Sequence, residues 1–136
     1  MFLIGGASVS WCSRRQKSIA MSSCEAEYIA ACEATREAAW EVKLLGEMGY
    51  NRLSPITICS DSQSAMALVE NPVFHEKSKH IETKYHYVRD RAAAGLVRFE
   101  YCPTLEMVAD SLTKGVPKAK TEFCRSAMGV KDLATM

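Results

Sequence analysis

No stretch of this chain approaches the roughly 18 uncharged apolar residues that a membrane-spanning helix requires. The opening MFLIGGASVSW has an apolar patch but no basic leader and no cleavage signature, so the sequence predicts a protein that is neither secreted nor membrane-spanning, with an intracellular, cytoplasmic location. There is no C-x-x-C pair. Six cysteines, at 12, 24, 32, 59, 102 and 124, show neither zinc-ligand spacing nor a dense disulfide framework, and reduced thiols are expected. Repeats, linkers and low-complexity segments are absent. Net charge is also small, at +1, which does not by itself announce a nucleic-acid binder. Histidine is scarce: all three, His75, His80 and His86, fall in one window, at spacings that put no two on one helical turn, which argues against a zinc site.

What remains is an ordinary globular composition. The 136 residues are 48% hydrophobic and 24% charged, enough for one domain with a real core. Two short apolar runs, FLI and ASVSWC, flank Gly5-Gly6 and predict a hairpin. A basic connector, Ser13 to Met21, leads to a long helix from Ser22 to Met48, with Ile29, Cys32, Trp40 and Leu44 roughly on one face and Gly49 as its stop. ITICS reads as a strand covered on both faces. A second helix is expected from Asp61-Ser62 to Glu70, halted by Asn71-Pro72. In a third, ending at Gly95, Ile81, Tyr85, Val88 and Ala92 form an apolar stripe. Then follow a strand over LVRFEYC, a short helix from about Leu105 to Lys114, and a weak helix from Thr121 to Met128. This order predicts an α/β fold with a mixed sheet flanked by helices.

Three acids are candidates for chemistry. Glu25 closes an S-x-x-E pattern and so has an innocent role as part of a capping box. Asp61, between a strand and a helix, is an equally good N-cap. Asp110 has no capping duty in its short helix, and its bland reading is simple exposure. Together they are more specific, because a strand's carboxyl end and nearby helix starts are where open α/β sheets place their sites. Carboxylates suit Mg²⁺ or Mn²⁺, and two such ions about 4 Å apart can activate water against a phosphodiester. Lys79, His80, Lys84, Tyr87 and Arg91, on the third helix, form a basic and aromatic stripe suited to phosphate contacts, set against the alternative of a merely solvated face.

The segments SWCSRRQKSIAMSSCEAEYIA, ICSDSQSAMALVENPVFHEKSKHIETKYHYVRD and YCPTLEMVADSLTKGVP closely resemble, in order and spacing, the ribonuclease H domain at the end of copia-type retrotransposon polyproteins. The resemblance covers residues 1 to about 130, with 131 to 136 expected as a flexible tail. It implies an RNase H-like fold that degrades the RNA strand of RNA–DNA hybrids during reverse transcription, with two Mg²⁺ or Mn²⁺ ions. It further implies that Glu25, Asp61 and Asp110 are three of four catalytic, metal-binding carboxylates. Asp110 would serve the ion beside the attacking water, and Glu25 and Asp61 the ion on the leaving-group side. The family's fourth carboxylate lies on a first, central strand that would precede Met1, and Glu106 stands where relatives often carry Gln. The expected partners are the hybrid itself and a reverse transcriptase domain of the same polyprotein. Without the central strand, exposed sheet edges and impaired catalysis are expected. The alternative is a catalytically inactive nucleic-acid-binding module or a decayed element fragment.

Overall fold

The computed structural model describes residues 1–17, 19–51, 54–70 and 79–132, with residues 79–82 described by backbone alone. The expected loop from 71 to 78, with His75, and most of the C-terminal tail lie outside the described residues. The architecture is α/β, as the element order predicts: β1 (Phe2–Ile4), β2 (Ala7–Ser10), α1 (Ser23–Glu47), β3 (Ile56–Ser60), α2 (Gln63–Glu70), α3 (Lys79–Ala93), β4 (Val97–Tyr101), a 3-10 turn (Val108–Leu112) and α4 (Lys118–Ala127). Among the described residues the strands pair as two two-stranded sheets, β1-β2 and β3-β4. The chain divides into two compact units, a central one of Ile19–Cys102 and a terminal one that joins Met1–Ser18 to Pro103–Met136.

In the central unit, β3 and β4 pair in parallel from Ile56 opposite Val97 to Ser60 opposite Tyr101. Both helices between them lie in the crossover that a parallel pair requires. Helix α1 packs against α2, α3 and β3. The core gathers Tyr28, Cys32 and Val88, with Leu68, Val69, Tyr85, Tyr87 and Phe99 packed against it. Val88 is fully buried, which is worth about 1.5–3 kcal/mol. Tyr28 meets Tyr85 with ring centroids 4.1 Å apart at 42°.

The ends of α1 are set by local chemistry. The Ser22 hydroxyl accepts from the Glu25 amide at 3.1 Å. At the other end Gly49, at φ +91°, lets its own N–H reach the Gly46 carbonyl and the Tyr50 N–H reach that of Leu45, a Schellman closure. The buried face departs from the expected one. Ile29 and Cys32 are inside, but Trp40 is 56% and Leu44 39% exposed. After Cys32 the buried positions are Thr35, Ala38 and Glu41. Each three-residue step falls about 60° short of a full turn, so the buried line winds round the helix, away from Trp40. The buried Thr35 hydroxyl is satisfied by donating to the Ala31 carbonyl at 2.8 Å.

The terminal unit is built on the hairpin. Gly5 and Gly6, at φ +61° and +81°, take the two positive-φ positions of a tight turn. Ala7 opposes Ile4, and a bulge between Phe2 and Leu3 shifts the register. The end of α4 sits on this turn: the Ser8 N–H donates to the Met128 carbonyl at 3.0 Å. A Cβ on Gly129 would lie 2.6 Å from the Gly6 carbonyl oxygen. Helix α4 begins at Lys118, three residues before the expected Thr121, because Pro117 at φ −58° is set for helix entry. The expected helix from Leu105 to Lys114 is only the 3-10 turn Val108–Leu112. There the Ser111 hydroxyl donates to the Val108 carbonyl at 2.9 Å, a local bond that competes with regular helix.

Candidate functional site

Glu25 stands in the first turn of α1, and its capping role is real. Its Oε2 accepts from the Met21 N–H at 2.8 Å while its own amide donates to Ser22. This is a capping box displaced by one residue, since the reciprocal bond goes to the amide before the cap. The carboxylate is thereby aimed, and a carboxylate that accepts one amide retains acceptor capacity. Nearby, burial and then the charges of Cys24 and Glu25 push the Tyr85 phenol up from its ordinary value. Burial likewise raises the Tyr28 phenol well above the usual tyrosine range, and its Oη donates to the Tyr85 carbonyl at 3.4 Å. The Cys32 thiol is raised by burial first, with Glu33 adding to it and Lys84 opposing it.

Asp61 follows β3 directly and is half-buried. It is not the N-cap of α2. That duty belongs to Ser62, whose Oγ accepts from the Ala65 amide at 3.2 Å, while its own N–H donates to Ser60 Oγ at 3.2 Å. Two serines therefore fix the turn, and they place Asp61 at the carboxyl end of a parallel strand pair, where open α/β sheets carry their ligands.

Asp110 lies in the terminal unit, whereas Glu25 and Asp61 lie in the central one. Its bland reading was exposure, but its side chain is only 13% exposed, and Oδ1 sits 3.0 Å from Lys114 Nζ. Sequence reasoning missed Lys114. The signal was available, since Asp and Lys four residues apart on a helical turn are neighbours. Among the described residues, no group of three or more His, Cys, Asp or Glu side chains is arranged to hold a metal ion. By donor chemistry, carboxylates remain the ligand type for a hard divalent cation.

On α3, the backbones of Lys79 and His80 open the helix, and their side chains lie outside the described residues. Lys84 and Tyr87 are half-buried, and Arg91 is exposed. The Arg91 guanidinium stands over the Tyr87 ring, 5.2 Å from its centroid, a cation–π pair one turn apart. The described part of the stripe is thus a Tyr87–Arg91 pair beside a lysine that acts on Cys32. Among the described residues no helix is long and apolar enough to cross a membrane.

No family model matches this chain, and no solved structure matches it. Curated relatives do, three of them as follows. The chain is 38% identical over 130 residues to the "Retrovirus-related Pol polyprotein from transposon TNT 1-94" of Nicotiana tabacum, a match covering 96% of this chain and 10% of that protein. It is 35% identical over 127 residues to the corresponding polyproteins from transposons RE1 and RE2 of Arabidopsis thaliana, covering 93% of this chain and 9% of each. The chain therefore spans about a tenth of the length of these relatives. Its homologues are retrovirus-related Pol polyproteins of copia-type transposons, and it corresponds to one segment of them.

Proposed function

We propose that this chain is a ribonuclease H-type segment of a retrotransposon Pol polyprotein, which cuts the RNA strand of RNA–DNA hybrids during reverse transcription. The observation that carries the reading is at Asp61. Ser62 caps α2, and Asp61 stands beside it at the carboxyl end of β3, where open α/β sheets carry their ligands. Glu25, Asp61 and Asp110 are the proposed ligands. Bound Mg²⁺ or Mn²⁺, two ions in a complete site, supplies an activated water and positive charge at the leaving oxygen. The chain's own groups hold these carboxylates in the absence of an ion. The Met21 amide orients Glu25, the Ser60–Ser62 turn fixes Asp61, and Lys114 gives the largely buried Asp110 a counter-charge. Lys79, His80, Lys84, Tyr87 and Arg91 are the proposed contacts to the hybrid, whose recognition rests on duplex shape, 2′-hydroxyls and phosphates. A reverse transcriptase region of the same polyprotein is the proposed companion.

A second reading, a module that grips nucleic acid without cutting it, draws on one observation: the described residues hold no ready three-ligand group. Cleavage of a labelled RNA–DNA hybrid in Mg²⁺ or Mn²⁺ separates the two. Ser62→Ala should lose about 1 kcal/mol of stability with the cap and still cut, whereas Asp61→Asn should fold and fail to cut. Cutting that survives Asp61→Asn sinks the proposal, and binding without cutting by the unaltered chain establishes the second reading.

A further inference from the structure

The face of α1 that turns away from the core carries more apolar surface than a solvated helix needs. Trp40, Leu44 and Met48 recur at four-residue steps, so they stand one above another as a stripe at the end of the helix. Trp40 is 56%, Leu44 39% and Met48 63% exposed, and Tyr50, just past the Gly49 stop, is 63% exposed. Side chains of this size, open to that extent, present on the order of 500 Å² together. That equals the largest apolar patch on a typical monomer, and such a patch marks an interaction site.

Charge restricts the partner. The near-neutral total conceals a central unit with nine Lys and Arg against twelve Asp and Glu, a net −3. Along α1 from residue 33 to 47, Arg36 and Lys43 stand against Glu33, Glu37, Glu41 and Glu47. A helix that lies on a membrane needs a polar face rich in Lys and Arg, and a nucleic-acid surface needs a basic one. This face offers neither, so a protein surface is the fitting partner.

The stripe is also its own complement. Leu44 is central, with Trp40 four residues before it and Met48 four after. A two-fold contact sets one patch against the same patch of a second copy. With two α1 helices antiparallel about Leu44, Trp40 of one copy comes level with Met48 of the other, and indole and thioether attract each other. The rim matches as well. Lys43 Nζ lies 4.0 Å from Glu47 Oε1, with both side chains exposed on one flank of the stripe. Lys43 precedes the axis by one residue and Glu47 follows it by three. The same pairing therefore brings Lys43 of each copy to about 3 Å, along the helix axis, from Glu47 of the other.

We propose that this face of α1 is a self-association surface, on which a second copy of the chain docks its own α1 antiparallel about Leu44. A stable interface buries about 800 Å² per partner. The stripe and Tyr50 supply somewhat over half of that, and the dimer is a weak one, with a dissociation constant on the order of 10 μM. Docking uses none of Glu25, Asp61 and Asp110 and needs neither metal ion nor nucleic acid, so it stands independently of the nuclease reading.

The test is sedimentation velocity of the full chain, in EDTA and a thiol reductant, from roughly 1 to roughly 500 μM, a range that spans the expected constant. The chain should pass from monomer to dimer. In Trp11→Phe, which leaves Trp40 as the one tryptophan, emission should move to the blue over the same range as the indole leaves water. Leu44→Asp, which sets two like charges on the axis, should weaken association at least about tenfold. Lys43→Glu and Glu47→Lys should each weaken it about fivefold, while an equimolar mixture of these two variants, or both changes in one chain, should restore it. Circular dichroism confirms the fold of every variant, and the two charge swaps, at exposed positions, decide the matter if Leu44→Asp does not fold. A monomer throughout the range, association indifferent to Leu44→Asp in a folded chain, or a mixture no tighter than either swap alone overturns the proposal. A chain that dimerises here yet never cuts hybrid refutes only the nuclease reading.

Discussion

Lys114 offers a perturbation in which folding and metal binding should move in opposite directions. Its ammonium lies 3.0 Å from Asp110 Oδ1, with the lysine side chain 53% and the aspartate 13% exposed. At such a distance the gross attraction runs from about 1 to about 5 kcal/mol, depending on the effective dielectric. The exposed lysine is well screened, so the net value of the pair is at most about 1 kcal/mol. Lys114→Met leaves a largely buried carboxylate without its counter-charge, and the cost should be about 1 kcal/mol or somewhat more in EDTA. If Asp110 ligates a divalent cation, the same change removes a repulsive positive charge beside the ion. A net 1.4 kcal/mol would tighten binding tenfold. The assay is thermal unfolding of the unaltered chain, Lys114→Met and Asp110→Asn, with and without millimolar Mg²⁺ or Mn²⁺. The expected pattern is a lower Tm for Lys114→Met in EDTA, a larger metal-induced rise for it than for the unaltered chain, and no rise for Asp110→Asn. An identical metal-induced rise in all three refutes the assignment of Asp110 as a ligand.

Two glycines separate backbone strain from steric contact. Gly49→Ala places a Cβ in open space at φ +91°, so urea denaturation should show a loss of about 1 kcal/mol, while Gly129→Ala, at φ +74° with the Gly6 oxygen 2.6 Å from the new Cβ, should lose clearly more. Equal losses would contradict the docking of α4 on the hairpin turn. Glu41 is buried, and among the described residues its Oε1 has no hydrogen-bond partner; burial, then the charge of Glu37, raises its carboxyl above the ordinary range. A carboxyl raised in the folded state binds its proton more tightly there than in the unfolded chain. Stability therefore falls as pH rises from the ordinary glutamate value through the folded one, and stays reduced above it. Glu41→Gln should then gain on the order of 1 kcal/mol at neutral pH and nothing below the ordinary glutamate range; a gain independent of pH would refute the charge as its cause.

Local chemistry was the most legible part of this sequence. Gly5-Gly6, Ser22, Gly49 and the run ITICS each fix their own conformation within a few residues, and the hairpin, the limits of α1 and the span of β3 follow from them. Three-dimensional partnerships were less legible. Hydrophobicity placed Trp40 with Ile29, but small and polar Thr35, Ala38 and Glu41 occupy the buried line, since close packing selects for fit as well as for apolar character. The joining of the hairpin to the C-terminal helix rests on contacts such as that of Ser8 with Met128, more than a hundred residues apart in sequence, for which no periodicity gives a signal. At the candidate site the three acids could be named from the sequence, but their neighbours could not. Asp61 and Ser62 are both good caps in sequence, and only the Ser62–Ala65 bond decides between them. Charge behaved in the same way: a total of +1 is uninformative until the chain is divided into its units.

The central claim is the proposal that Glu25, Asp61 and Asp110 are ligands of a divalent ion. Paramagnetic broadening by Mn²⁺ in the NMR spectrum of the full chain tests it directly, because the ion erases signals only in its neighbourhood. Loss of the amide signals at all three positions at one substoichiometric Mn²⁺ level, reversed by Mg²⁺ and absent in Asp61→Asn, is the predicted result. Broadening at the central unit's pair with Asp110 untouched, or broadening elsewhere on the surface that Asp61→Asn leaves unchanged, would contradict it.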